Sequence, residues 1–199
     1  MQVIKKFAKD EQGVIAIELC LVVPILVWVL MSTIVYFDVF RNEANAGRAS
    51  LTIADMFSRE QDDIDDDYLD GAQALLRLLT FAEDSPDLRV SVYRYILADD
   101  EYVSVWSRIR GEGTEMTDEE LLVLQTENRL PVLADDDIAI LVETSTDYSA
   151  PFSVGLGPFT GTDIQDLTFN NFTVIRPRYT DSLCFDIKDS SAPNGGIIC

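Results

Sequence analysis

From Val14 to Phe37 the chain runs almost without a break through apolar side chains, 24 residues in which Glu18 carries the single formal charge. As a helix such a run reaches about 36 Å, against a bilayer hydrocarbon core of about 30 Å, so the sequence predicts a membrane-crossing helix. A carboxylate inside such a segment costs on the order of 1 to 3 kcal/mol and so has a partner or a task, unless it sits at headgroup level and reaches water. Pro24 lies within the run and removes one backbone donor, which predicts a bend or a loosened turn.

Charge sets the orientation. Lys5, Lys6 and Lys9 precede the run, and positive residues stay on the cytoplasmic side, so the N-terminus is expected in the cytoplasm and the bulk of the chain outside. Arg41 and Arg48 lie on the other flank. The 199 residues carry a formal charge of minus 20. Removing residues 1–13, with three basic and two acidic side chains, leaves 12 basic against 33 acidic. That balance argues against nucleic acid or an anionic membrane surface as partner. An ordinary cleaved secretory signal is a poor fit, because the apolar segment is of full spanning length and no small-x-small cleavage signal follows it.

The helical pattern continues beyond Phe37. Phe40, Ala44, Gly47, Leu51 and Ala54 recur at helical spacing beside a polar stripe of Arg41, Asn45, Arg48, Thr52, Asp55 and Arg59. One helix from about Val14 to Ser58 is expected. An acidic stretch from Glu60 to Asp70 then reads as a solvated loop, and Leu75 to Phe81 as part of a short buried helix over 70–82. Alternation over Leu88 to Tyr95 and a second run from Tyr102 to Ser107 predict an antiparallel hairpin about the turn Ala98 to Glu101. Thr117 and Glu120 form a capping-box pattern ahead of Leu121, Leu122 and Leu124. A third strand is expected over Ile138 to Thr144 and a fourth over Phe169 to Ile175, joined by a loop holding Pro151, Gly155, Gly157, Pro158 and Gly161. The fold class is α+β: a long N-terminal transmembrane helix, then a small antiparallel sheet domain with two or so short helices, all helices on one face.

Few residue types for catalysis are present. The chain has no His, which removes the usual general base, pH switch and commonest metal ligand. No GxSxG, P-loop or GxGxxG pattern occurs. Enzymatic activity, a cofactor and a metal site are therefore not expected. The carboxylates at Asp62 to Asp70 resemble a calcium loop in composition, but counting from Asp63 the position that must be Gly is Tyr68. A membrane-anchored, uncleaved periplasmic domain that binds cations through this stretch is the alternative reading. Asn171-Phe172-Thr173 matches the glycosylation pattern, which a single tripeptide often does by chance. Cys20 reads as a small hydrophobe within the span. Cys184 and Cys199 flank Pro193, Asn194, Gly195 and Gly196, which turn the chain back. An exported location permits a disulfide between them, worth about 3 kcal/mol in the chain-entropy account; two unpaired thiols are the alternative.

A short basic leader ending in Gly13, then aliphatic residues, then Glu18 at the fifth position after Gly13, then a long apolar helix, resembles the processing signal of type IV pilins. Asp10-Glu11-Gln12-Gly13 with Ala16-Ile17-Glu18 and Pro24 is similar, within that class, to the TadE-like pseudopilins of tight-adherence (Flp) pili. The resemblance covers Phe7 to about Arg59 most clearly. It implies cleavage by a membrane-embedded prepilin peptidase between Gly13 and Val14, giving a leader 1–13, a transmembrane and amphipathic helix 14–59, and an exported α+β domain 60–199. The processing-site residues are then Gly13, Val14 and Glu18. The implied partners are the peptidase, other pilins or pseudopilins and the inner-membrane assembly platform. The implied location is the bacterial inner membrane, with the C-terminal domain periplasmic. Leu19 stands where members often have an aromatic residue, and the chain is longer than major Flp pilins; both imply a minor component. Physically, cleavage would create a charged amine at Val14 one helical turn from Glu18, able to pair with it or with a neighbouring subunit's carboxylate in a low-dielectric setting.

Overall fold

The computed structural model describes residues 12–155, 163–189 and 196–199, with side chains described over 17–151, 166–189 and 196–199. Residues 1–11, most of the expected leader, with Gly157, Pro158 and Gly161 of the expected loop and Pro193, Asn194 and Gly195, lie outside them. The described residues group into two compact units. One takes in residues up to Phe40 with those from Ser149 to Gln165; the other takes in Arg41–Tyr148 with Asp166–Cys199.

A single helix, α1 (Gln12–Arg59), runs through the apolar stretch, through Pro24 and on into the amphipathic region. It is followed by α2 (Asp66–Thr80), β1 (Asp87–Ile96), β2 (Glu101–Arg110), α3 (Asp118–Thr126), β3 (Ile138–Gly155), β4 (Asp163–Ile175), β5 (Phe185–Asp186) and β6 (Ile197–Ile198). The molecule is thus α+β, as the sequence predicts. Four strands form one sheet in the order β2-β1-β3-β4, and β5 pairs with β6. The expected hairpin forms, with β1 antiparallel to β2 from Leu88↔Arg110 to Ile96↔Glu101. Val92 faces Trp106 and Tyr93 faces Ser104, so Val105 is the extra residue of a β-bulge.

The sheet carries a core on each side, which corrects the expectation that all helices share one face. Leu88, Val90 and Val92 of β1 and Ile140 and Val142 of β3 pack with Ala49, Ile53, Ala54 and Phe57 of α1 and Leu69, Ala72 and Leu76 of α2. Tyr93, Ala139 and Leu141 point to the other face, where they pack with Tyr102, Met116 and the α3 residues Leu121 and Leu124. Both faces of β1 and β3 are therefore buried.

The buried stripe of α1 also differs from the expected one. Ala46, Ala49, Ser50, Ile53, Ala54, Phe57 and Ser58 are buried, whereas Phe40 is 63% and Leu51 60% exposed. Two stripes satisfied helical spacing; Ile53 and Phe57, which fill the space over Val90 and Val92, decide between them. The small residues beside them bring helix and sheet together: a Cβ on Gly47 would lie 3.5 Å from Asn171 Oδ1, and Ser50 Oγ is 3.2 Å from Thr173 Oγ1. Asn171 is thus half-buried in β4 facing α1, a poor presentation for a glycosylation acceptor.

The third strand continues well past Thr144, so Pro151 and Gly155 belong to β3 and not to a loop. Pairing of β1 with β3 ends at Asp87↔Ser145, short of Pro151, so β1 does not run beside the proline. The capping box at Thr117 forms by half. Thr117 Oγ1 accepts from the Glu120 amide at 3.3 Å, while the Glu120 carboxylate reaches Arg89.

Candidate functional site

The predicted processing site lies in the first turns of α1. Gly13 and Val14 belong to the helix, so the bond between them is in helical backbone; their side-chain surroundings lie outside the description. Glu18 is exposed, as are Ile17, Leu19 and Leu21 around it. Val14 and Glu18 are four positions apart and share a helix face. Beyond them, exposed apolar side chains occupy successive positions, among them Val22, Val23, Ile25, Leu26, Val27, Trp28, Val29 and Leu30. Consecutive positions point all round the helix, so this is a belt and not a stripe. The helix is long and apolar enough to cross a membrane, and little of its most apolar stretch is buried. Two hydroxyls of that stretch are satisfied within the helix: Ser32 donates to the Trp28 carbonyl at 2.9 Å and Thr33 to that of Val29 at 2.8 Å. An apolar surrounding demands such self-sufficiency.

The acidic stretch 60–70 is not the open loop that the sequence suggested. Asp65 caps α2, accepting the Tyr68 amide at 2.8 Å, and Asp66, Asp67 and Asp70 lie in the first turns of that helix, where carboxylates complement the dipole. Basic side chains from remote parts of the chain meet them. Lys188 Nζ is 2.8 Å from Asp65 and 2.7 Å from Asp67, and Arg110 bridges Asp66 and Asp70. The hydrogen bond from Lys188, with that of the Tyr68 amide, holds the Asp65 carboxyl below its usual range; Asp65 and Asp67 in turn raise the Lys188 ammonium. Burial and a hydrogen bond to Glu60 push the Tyr68 phenol up. Four carboxylates of the stretch thus already hold cations of the chain itself. Among the described residues no group of three or more Cys, Asp or Glu is arranged to hold a metal ion.

Cys184 and Cys199 are joined, with an S–S distance of 2.06 Å. The bridge secures the two-stranded β5–β6 ribbon, Phe185↔Ile198 and Asp186↔Ile197, to the rest of the domain. Ile64, buried, donates its amide to the Cys184 carbonyl at 3.0 Å and accepts from the Asp186 amide at 2.8 Å. Phe185 is buried against Trp106, ring centroids 5.4 Å apart, and the Arg108 guanidinium lies over its ring at 4.8 Å. Sequence reasoning missed Lys188 and Arg110 as partners of the acidic stretch. No local signal could have found them, since they lie 121 and 44 residues away.

On the α3 side of the sheet an open cleft of about 410 Å³ is lined by Arg89, Ile109, Arg129, Glu143 and Phe172 among others. Arg89 donates to Glu143 at 2.6 Å, to Glu120 at 3.1 Å and to the Thr114 carbonyl at 3.1 Å. Burial disfavours its charge, but the two carboxylates outweigh that and raise its pKa. Arg129 stacks on Phe172 at 4.4 Å. With its acceptors in place, Arg89 acts as a clamp joining β1, β3 and α3.

No protein-family model matches the chain, and neither a curated protein nor a solved structure matches it.

Proposed function

We propose that the chain is a single-pass minor pilin, or pseudopilin, acting in assembly of a tight-adherence (Flp) pilus at the bacterial inner membrane. A prepilin peptidase cuts after Gly13, and the new amine of Val14 and the carboxylate of Glu18 make the contacts that admit the subunit. Its partners are other pilins and the assembly platform, its α+β domain is periplasmic, and its work is protein–protein contact, with no catalysis.

One observation carries this reading: a carboxylate at the fifth residue after the candidate cleavage bond stands in the first turns of a continuous helix whose next residues expose apolar side chains all round. Such a belt needs an apolar medium, and a lone carboxylate at its head needs a partner. The disulfide Cys184–Cys199 supports an oxidising compartment for the domain. The cation-binding alternative has little in its favour, because Lys188 and Arg110 already occupy Asp65, Asp66, Asp67 and Asp70.

The test is Glu18→Ala in the native host. The variant should remain membrane-embedded at normal level while pilus formation falls; normal piliation would count heavily against the proposal.

A further inference from the structure

One exposed side of α1 repeats every seven residues. Arg41 and Arg48 are seven apart, as are Ala44 and Leu51, and all four are exposed. Leu51 shows 60% of its surface, and Phe37, seven residues before Ala44 in the same helix, shows 73%. Positions three, four and seven apart share a helix face, so these side chains make one stripe in which arginines alternate with apolar residues. The face that packs on the sheet, through Ala49, Ile53 and Phe57, is a different one.

The charges on the stripe say what fits there. The chain carries a formal charge of minus 20, yet among the described residues neither Arg41 nor Arg48 lies within ion-pair distance of a carboxylate. The other arginines each meet one, except Arg77, which donates to the Ala82 and Glu83 carbonyls. The acids on α1 in register with the two are engaged: Asp38 has an interaction of its own, and Asp55 holds Arg59 and Arg178. A guanidinium is weakly hydrated for a cation and pairs bidentately with carboxylates, which suits it to an interface. A repeat of seven keeps a second helix in contact along the stripe. A second copy of α1, parallel and in register, would set Arg41 against Arg41 and Arg48 against Arg48, so like charges exclude it.

We propose that Arg41, Ala44, Arg48 and Leu51 are the docking face for a helix of a different protein. That helix carries an apolar stripe and two carboxylates seven residues apart, which meet the two arginines while its apolar side chains cover Ala44 and Leu51. The inference needs only the exposed stretch of α1 and does not rest on the pilin reading.

The experiment places the photoreactive residue p-benzoylphenylalanine at Leu51 of the full chain in its native host, irradiates the cells and sequences the cross-linked peptide by mass spectrometry. The peptide should come from another protein and carry two Asp or Glu seven residues apart on an apolar-striped segment. Arg41→Glu with Arg48→Glu should cut the cross-link about tenfold at unchanged thermal melting, and Lys at the partner's two carboxylates should restore it. A cross-link to a second copy of this chain, to a segment without such carboxylates, or to no protein overturns the proposal. So does a yield that the double reversal leaves unchanged. Should the double reversal fail to fold, Arg41→Gln with Arg48→Gln decides: the cross-link should weaken, and an unchanged yield overturns the proposal. The readout is the sequence of the cross-linked segment and not piliation, so its failure is distinct from failure of the pilin reading.

Discussion

Trp106 donates its indole N–H to the Leu183 carbonyl at 2.7 Å inside the core, one residue before the disulfide cysteine Cys184. Donor and acceptor are 77 residues apart, so the bond reports whether the C-terminal segment is seated. Replacing Cys184 and Cys199 by Ser should destabilise the domain by about 3 kcal/mol, from the lost restraint on the unfolded chain. In a Trp28→Phe background, Trp106 emission should move to longer wavelength on reduction at a denaturant concentration the oxidised protein withstands. Unchanged melting and emission would mean that the strap is held by Phe185 and Ile64 alone.

The Lys188–Asp65 contact sets a pH window. Asp65 is depressed, so its contribution is present above the unfolded carboxylate pKa of about 4 and is lost as pH falls through the lower folded value. Lys188 is raised, so its contribution is complete below about pH 10 and is lost as pH rises through the higher folded value. The contact therefore persists across neutral pH and opens at both extremes. In an NMR titration, Asp65 should titrate below the ordinary carboxylate range and move upward in Lys188→Met. An unmoved Asp65 would show that the Tyr68 amide alone sets its pKa.

Phe81 ends α2 in the left-handed region, with φ 55° and 76% of its surface exposed. A side chain there carries strain that glycine avoids. Phe81→Gly should stabilise the domain by about 1 kcal/mol in thermal melts. A loss of stability would mean that the ring makes contacts worth more than the strain.

Thr144 is buried on the α1 side of β3 and its hydroxyl has no hydrogen-bond partner. Thr144→Val keeps the shape and removes the unpaired group, so stability should rise by about 1 kcal/mol. A fall of that size would instead reveal a bridging water at the hydroxyl.

Local chemistry made much of this fold legible. The apolar belt, the strand alternation at Leu88 to Tyr95, the Thr117 cap and the cysteine pair each depend on residues close in sequence or on composition. What was missed depends on remote partners. Phe40 and Leu51 outrank Ala46 and Ala49 in apolar size, but the face α1 buries is chosen by Ile53 and Phe57 against Val90 and Val92. The acidic stretch looked like a solvated loop because Lys188 and Arg110 arrive from elsewhere in the chain. Pro151 was placed in a loop because nothing local shows that β3 outruns its pairing with β1, which ends at Asp87. For the candidate site the sequence named Gly13, Val14 and Glu18, and the structure adds that all three lie in one uninterrupted helix.

The central claim is processing at Gly13, and intact-mass measurement of the protein extracted from native membranes tests it most directly. The account predicts a chain beginning at Val14, with the leader retained in Gly13→Ala and in cells lacking the prepilin peptidase. A protein that still begins at Met1 in normal cells would contradict it.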